Sequence, residues 1–106
     1  MATGRLGTSD LAAATDTLLY TCPADTFSVT TLSLCNRNGS SVRIRVAVGT
    51  SASPADAEFI EYDSELTGNS VIERTGIVLS AGQTIIVRSN TVNVSAVLVG
   101  IETTTA

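Results

Sequence analysis

No apolar stretch between Thr17 and Glu102 runs on for long: short segments rich in Val, Ile, Leu and Thr are cut by turn residues at intervals of about 8 to 12 positions. That spacing suits a sandwich or barrel, and no segment keeps a helical period for more than two turns. The clearest segment alternates Val42, Ile44, Val46 and Val48 with Arg43, Arg45 and Ala47 before Gly49 ends it. One of its faces reads as core, and the other carries two guanidinium groups. Thr17 to Cys22, stopped by Pro23, and Thr26 to about Asn36 precede it, and the dipeptide Asn38-Gly39 after the second of these predicts a hairpin. Beyond the polar loop Thr50 to Ala57, strands are predicted at Glu58 to Tyr62, Val71 to Glu73, Ile77 to Leu79, Thr84 to Arg88 and Asn93 to Glu102. Abundant β-branched residues with few aromatics agree with strands. The predicted fold is all-β: a single antiparallel β-sandwich, jelly-roll-like or immunoglobulin-like, of seven or eight strands.

A chain of 106 residues has room for one such domain. The segment from Met1 to Asp16 holds only Leu6 and Leu11 as larger apolar residues and reads as an extended N-terminal arm or tail. Residues 17–102 form the sandwich in this reading, and residues 103–106 a short polar tail. Two strands are apolar at both parities: Ile85-Ile86-Val87 is unbroken, and Val97, Val99 and Ile101 reverse the parity of Val94, Ala96 and Leu98. Either a bulge switches the face, or both faces are buried, the second by a partner.

Charged residues make up 15% of the chain against a usual value of about 25%. This fits a Ser/Thr-rich surface or one covered by neighbours. The net charge of -4 disfavours nucleic acid as a partner. All six cations are Arg, which suits bidentate pairing with carboxylates at interfaces. Neither a leader-like apolar segment nor a membrane-spanning run of about 20 apolar residues is present, so a soluble protein without membrane partners is expected. Cys22 and Cys35 are too few for a disulfide framework, and reduced thiols are the expectation.

The sequence contains no histidine, which closes the nucleophilic and metal mechanisms built on imidazole. A carboxylate pair could come from Asp56, Glu58, Glu61, Asp63 and Glu65, of which Glu61, Asp63 and Glu65 share strand parity and would line one face. A solvated edge, or a patch facing Arg on a neighbour, is the simpler reading. No calcium loop or phosphate-cradling glycine motif is present. The expectation is a chain without catalytic residues, metal or cofactor.

The segments Leu19-Tyr20-Thr21-Cys22-Pro23-Ala24, Leu34-Cys35-Asn36-Arg37, Ile60-Glu61-Tyr62-Asp63, Val78 to Ile85 and Gly100-Ile101-Glu102 resemble, in this order, small β-sandwich structural proteins of tailed bacteriophages. These serve as capsid decoration (cement) proteins and as neck, tail or fibre attachment modules. The resemblance spans roughly Thr17 to Glu102 and departs at Cys22, where a plain aliphatic residue is expected. It implies a virion component assembled in the cytoplasm of the bacterial host, with the major capsid protein or another virion protein as partner. A homo-oligomer, a trimer by first guess, is expected, with Leu6, Leu11, Arg43 and Arg45 as interface residues. The alternatives are a tail, neck or fibre adaptor and, from another class, a carbohydrate-binding module, for which only Tyr20 and Tyr62 offer aromatic platforms.

Overall fold

The computed structural model describes residues 2–105. Its strands are β1 (Thr3–Asp10), β2 (Thr17–Thr21), β3 (Thr26–Asn36), β4 (Val42–Gly49), β5 (Phe59–Leu66), β6 (Val71–Leu79), β7 (Thr84–Ser89) and β8 (Val94–Thr104), with one 3-10 turn at Asp56–Glu58. They form two antiparallel sheets, ordered β1-β8-β3-β6 and β2-β7-β4-β5. This is the eight-stranded double sheet of a jelly roll, within the all-β sandwich class expected from the sequence. Leu32, Leu34, Leu79, Val94, Ala96 and Leu98 of the first sheet pack against Ile44, Val46, Ile85 and Val87 of the second, each at most 1% exposed.

Only β4 and β5 are consecutive strands within one sheet; every other connection passes from one sheet to the other. The predicted hairpin at Asn38-Gly39 is therefore a crossover from β3 to β4. Its geometry comes from the buried Asn36 side chain. Nδ2 lies 2.9 to 3.1 Å from the carbonyl oxygens of Ser40, Leu66 and Thr67, and Oδ1 accepts the Asn38 N–H at 2.9 Å. These bonds staple the β3–β4 crossover to the one between β5 and β6. The two loops touch so closely at Gly68 that a Cβ there would lie 2.5 Å from the Gly39 carbonyl oxygen.

The segments Val71–Glu73 and Ile77–Leu79, read as separate strands, are the two halves of β6. The register with β3 slips by one residue between them, at a bulge accommodated by Gly76 at φ +70°. A second bulge corrects the expected acidic face. Asp63 takes φ +52°, and the pairing passes from Ile44↔Ser64 to Val46↔Glu61, so Glu61, Asp63 and Glu65 no longer alternate regularly. Glu61 instead bonds Arg74 of β6 at 2.8 Å and the Ser64 hydroxyl at 2.6 Å.

Most of the segment read from the sequence as an arm lies on its own sandwich. Residues 3–10 form the edge strand β1 against β8, and Leu11 is 2% exposed in the core. Its amide donates to the Val94 carbonyl, which fixes the chain where the strand ends. At the other end β8 continues to Thr104, pairing Thr103 with Phe27 and Thr104 with Thr26 in place of a free tail. Met1 of the expected arm and Ala106 of the expected tail lie outside the described residues. Cys22 is buried, Cys35 half-buried, and both are free thiols.

Candidate functional site

The outward faces of the two sheets are the surfaces that distinguish this sandwich. On β3 and β8 the register is continuous from Thr26↔Thr104 to Asn36↔Val94, so no bulge in this pairing switches the face. Alternation then sends Val94, Ala96 and Leu98 inward and Val97, Val99 and Ile101 outward. On β3 it sends Phe27 and Val29 outward with Thr31, Ser33 and Cys35. Val78, Val29, Ile101 and Thr3 form one row across all four strands. Val78 is 60% exposed, Ile101 55% and Val29 46%.

Beneath this end of the sheet the polarity is inverted. The inward residues of β3 there are Thr26, Ser28 and Thr30, and that of β8 is Glu102, all buried. Each finds a partner inside. The Tyr20 hydroxyl donates to Glu102 Oε2 at 2.5 Å, and the Ala2 amide donates to Oε1 at 2.9 Å. Thr30 donates to the Ile77 carbonyl at 2.7 Å, and Ser28 to the Cys22 sulfur at 3.6 Å. The Tyr20 hydrogen bond and then the Ala2 amide hold the Glu102 carboxyl below its ordinary range, while burial and the carboxylate push the Tyr20 phenol up. No buried side-chain polar atom among the described residues lacks a partner. Polar groups are thus turned in and satisfied, and apolar ones turned out.

The outward face of the other sheet carries an apolar row, Leu18, Ile86, Ala47 and Phe59, of which Ile86 and Ala47 are buried, and beside it a cluster of ions. Arg43 and Arg45 stand on β4, and Arg88 pairs directly across from Arg45 on β7. Like charges in register repel, and the β5 bulge supplies the counter-charge. Asp63 receives Arg45 Nε at 2.7 Å and Nη2 at 3.2 Å, a bidentate fork. Arg43 donates to the Asp63 backbone carbonyl at 3.2 Å, and Arg88 lies 3.5 Å from Asp16. The guanidinium of Arg45 also lies 4.1 Å from the centroid of the Tyr62 ring, which makes a T-shaped contact with Phe59. Arg45 holds the Asp63 carboxyl below its usual range. Arg43, Arg45, Arg88, Asp63, Ala14 and Asn90 enclose a small cavity of about 90 Å³.

Of the residues singled out from the sequence, Arg43 and Arg45 share this face, whereas Leu6 packs at the margin of the core and Leu11 within it. Sequence reasoning missed Phe27, Val29 and Val78. The signal was a parity reversal within β3, where odd Phe27 and Val29 give way to even Leu32 and Leu34. It is the same reversal noticed in β8. Among the described residues no group of three or more His, Cys, Asp or Glu side chains could hold a metal ion. Comparisons with family models, curated proteins and solved structures found no match to the chain.

Proposed function

We propose that this chain is a non-enzymatic structural protein of a bacteriophage virion, acting as a capsid decoration (cement) protein that stabilises the shell as a homo-oligomer. The observation that carries the reading is the inverted polarity at the Thr26–Thr30 end of the first sheet. A sequence selected only to fold alone would place Phe27, Val29, Val99 and Ile101 inside and Ser28, Thr30 and Glu102 outside, because water favours that arrangement by roughly 1.5 to 3 kcal/mol per large apolar side chain. The reverse arrangement makes sense for a surface that another protein covers. The absence of histidine, together with carboxylates already engaged by Arg45 and Arg74, supports a binding role over a catalytic one. The phage setting and the place on the capsid rest on the resemblance of the strand-and-turn segments. A decoration protein acts by mass action: whatever binds only the assembled shell favours that state.

The test is occupancy on particles. Virions of the phage that encodes the chain are purified, washed in salt and analysed by mass spectrometry and labelled-antibody electron microscopy. Stoichiometric protein on the capsid surface is expected. Its absence from particles would end the virion reading, and its confinement to the tail would transfer it to the adaptor role.

A further inference from the structure

We infer that the outward face of the β1-β8-β3-β6 sheet is covered by the same face of a second copy, related by a two-fold axis parallel to the strands. The inference takes up the protein-binding face on which the proposed function rests and names its occupant; it does not require the virion.

Three observations on this face point to a second copy. The first is its chemistry. The ten outward positions of the two central strands, Phe27 to Cys35 on β3 and Ser95 to Thr103 on β8 taken alternately, contain no charged residue. The second is its size. Four strands about 4.8 Å apart and roughly nine residues long give a face of about 600 Å², so that two copies bury about 1,200 Å² together. This reaches the lower bound of stable protein–protein interfaces.

The third is the charge at its rims. Arg5 on β1 is level with Val99, and Glu73 on β6 is level with Ser33, whose hydroxyl donates to it at 3.4 Å. Among the described residues neither has an opposite charge within ion-pair distance. They cannot pair within one chain, because β8 and β3 stand between their strands and three strand spacings amount to about 14 Å. A two-fold axis along the strands lays β1 of one copy over β6 of the other. Arg5 then meets the second copy's Glu73 with an offset of two residues, about 7 Å along the strand, which the long arginine side chain spans. The same operation repeats the contact at the opposite rim, as an isologous interface requires. A face complementary to itself in this way closes in pairs, so the unit is a dimer and not the trimer first guessed.

Sedimentation equilibrium of the full chain over a concentration series provides the test, on the wild type and on Val29→Glu, Arg5→Glu, Glu73→Arg and the double charge swap. All three sites are exposed, and circular dichroism confirms that each variant remains folded. A concentration-dependent dimer is expected for the wild type. Each single reversal should weaken it about tenfold, because two attractive contacts become repulsive. The double swap should restore it, and Val29→Glu should abolish it. A monomer at every concentration, a trimer, a dimer indifferent to Val29→Glu, or a double swap no better than the singles would overturn the inference. A monomer that still decorates particles would leave the proposed function standing, and a dimer never found on particles would leave only the inference.

Discussion

The two sheets of this sandwich meet the same core, yet they present opposite chemistry to the outside. On β4 and β7 the outward positions open to solvent carry Arg43, Arg45 and Arg88, balanced by Asp63 on the bulged β5 and by Asp16, while the outward Ala47 and Ile86 are buried. On β3 and β8 they carry Phe27, Val29, Val97, Val99 and Ile101, with no ion among them. The guanidinium face is finished by its own residues, since bidentate pairing and the Tyr62 ring satisfy Arg45 within the chain. The apolar face is not finished by anything in the monomer. The difference leaves one outward side complete within the monomer and the other open, although both sheets close the same core.

The sharpest way to break this comparison is to truncate two neighbours on one strand. Leu98 is fully buried, and Leu98→Ala should cost about 2 to 5 kcal/mol in urea unfolding. Val99 points the other way, and Val99→Ala, measured where the chain is monomeric, should cost less than about 0.5 kcal/mol. Equal costs would mean that the outward face is already packed in the monomer. Next in size is Asn36→Ala, which removes the staple joining the two crossovers and strands buried carbonyl groups. About 2 to 3 kcal/mol is expected, without change in the strand circular dichroism.

The inverted end supplies a smaller effect with a pH signature. Tyr20→Phe removes a charge-assisted hydrogen bond to Glu102 and should cost about 1 to 2 kcal/mol at neutral pH. Because the folded state holds Glu102 below its ordinary value, this contribution is fully present above the unfolded carboxyl value of about 4. It fades as pH falls through the lower folded value. Wild type and variant should therefore converge in acid. The phenol shifts upward on folding, so wild-type stability should also decline above about pH 10, a loss that the Phe variant escapes. A gap independent of pH would show that Glu102 does not depend on Tyr20. The smallest effect belongs to the guanidinium face: replacing Arg43 and Arg45 together by Ser should leave the thermal midpoint of the monomer nearly unchanged, because the pairs are exposed and screened. If this face meets the shell, the same double variant should lose occupancy on particles at moderate salt. A large drop in midpoint would instead make the face part of the monomer's stability.

Much of this was legible in the sequence. The β4 alternation placed Arg43 and Arg45 outward, because a period of two needs nothing beyond local geometry. Turn residues marked most strand ends but not the partners, since Asn38-Gly39 breaks a strand equally well at a hairpin and at a crossover; the choice is made by Asn36, through bonds to Leu66 and Thr67 some thirty positions away. The N-terminal strand was illegible for a related reason. Thr3 to Asp10 has hardly any apolar pattern and is held by backbone pairing to β8, by Leu11 in the core and by Leu6 at its margin. The apolar face was half legible. Reversed parity in β8 raised it, but in β3 the rule that apolar residues go inside would send Phe27 and Val29 to the wrong side. Only the register with β8 shows that Ser28 and Glu102 occupy that side.

Strand order also governs when the apolar face can come into being. β8 lies between β1 and β3 and follows both of them in the chain, so it leaves the ribosome after they do. The β2-β7-β4-β5 sheet can close once Ser89 has emerged, but β1 and β3 have no neighbour in common until Val94–Thr104 has followed. The row that joins Val29 to Ile101 is thus absent until Ile101 has emerged. A nascent chain that has made β3 but not β8 cannot offer that surface to a copy growing beside it on the same messenger, and any pairing of faces waits until β8 is in place.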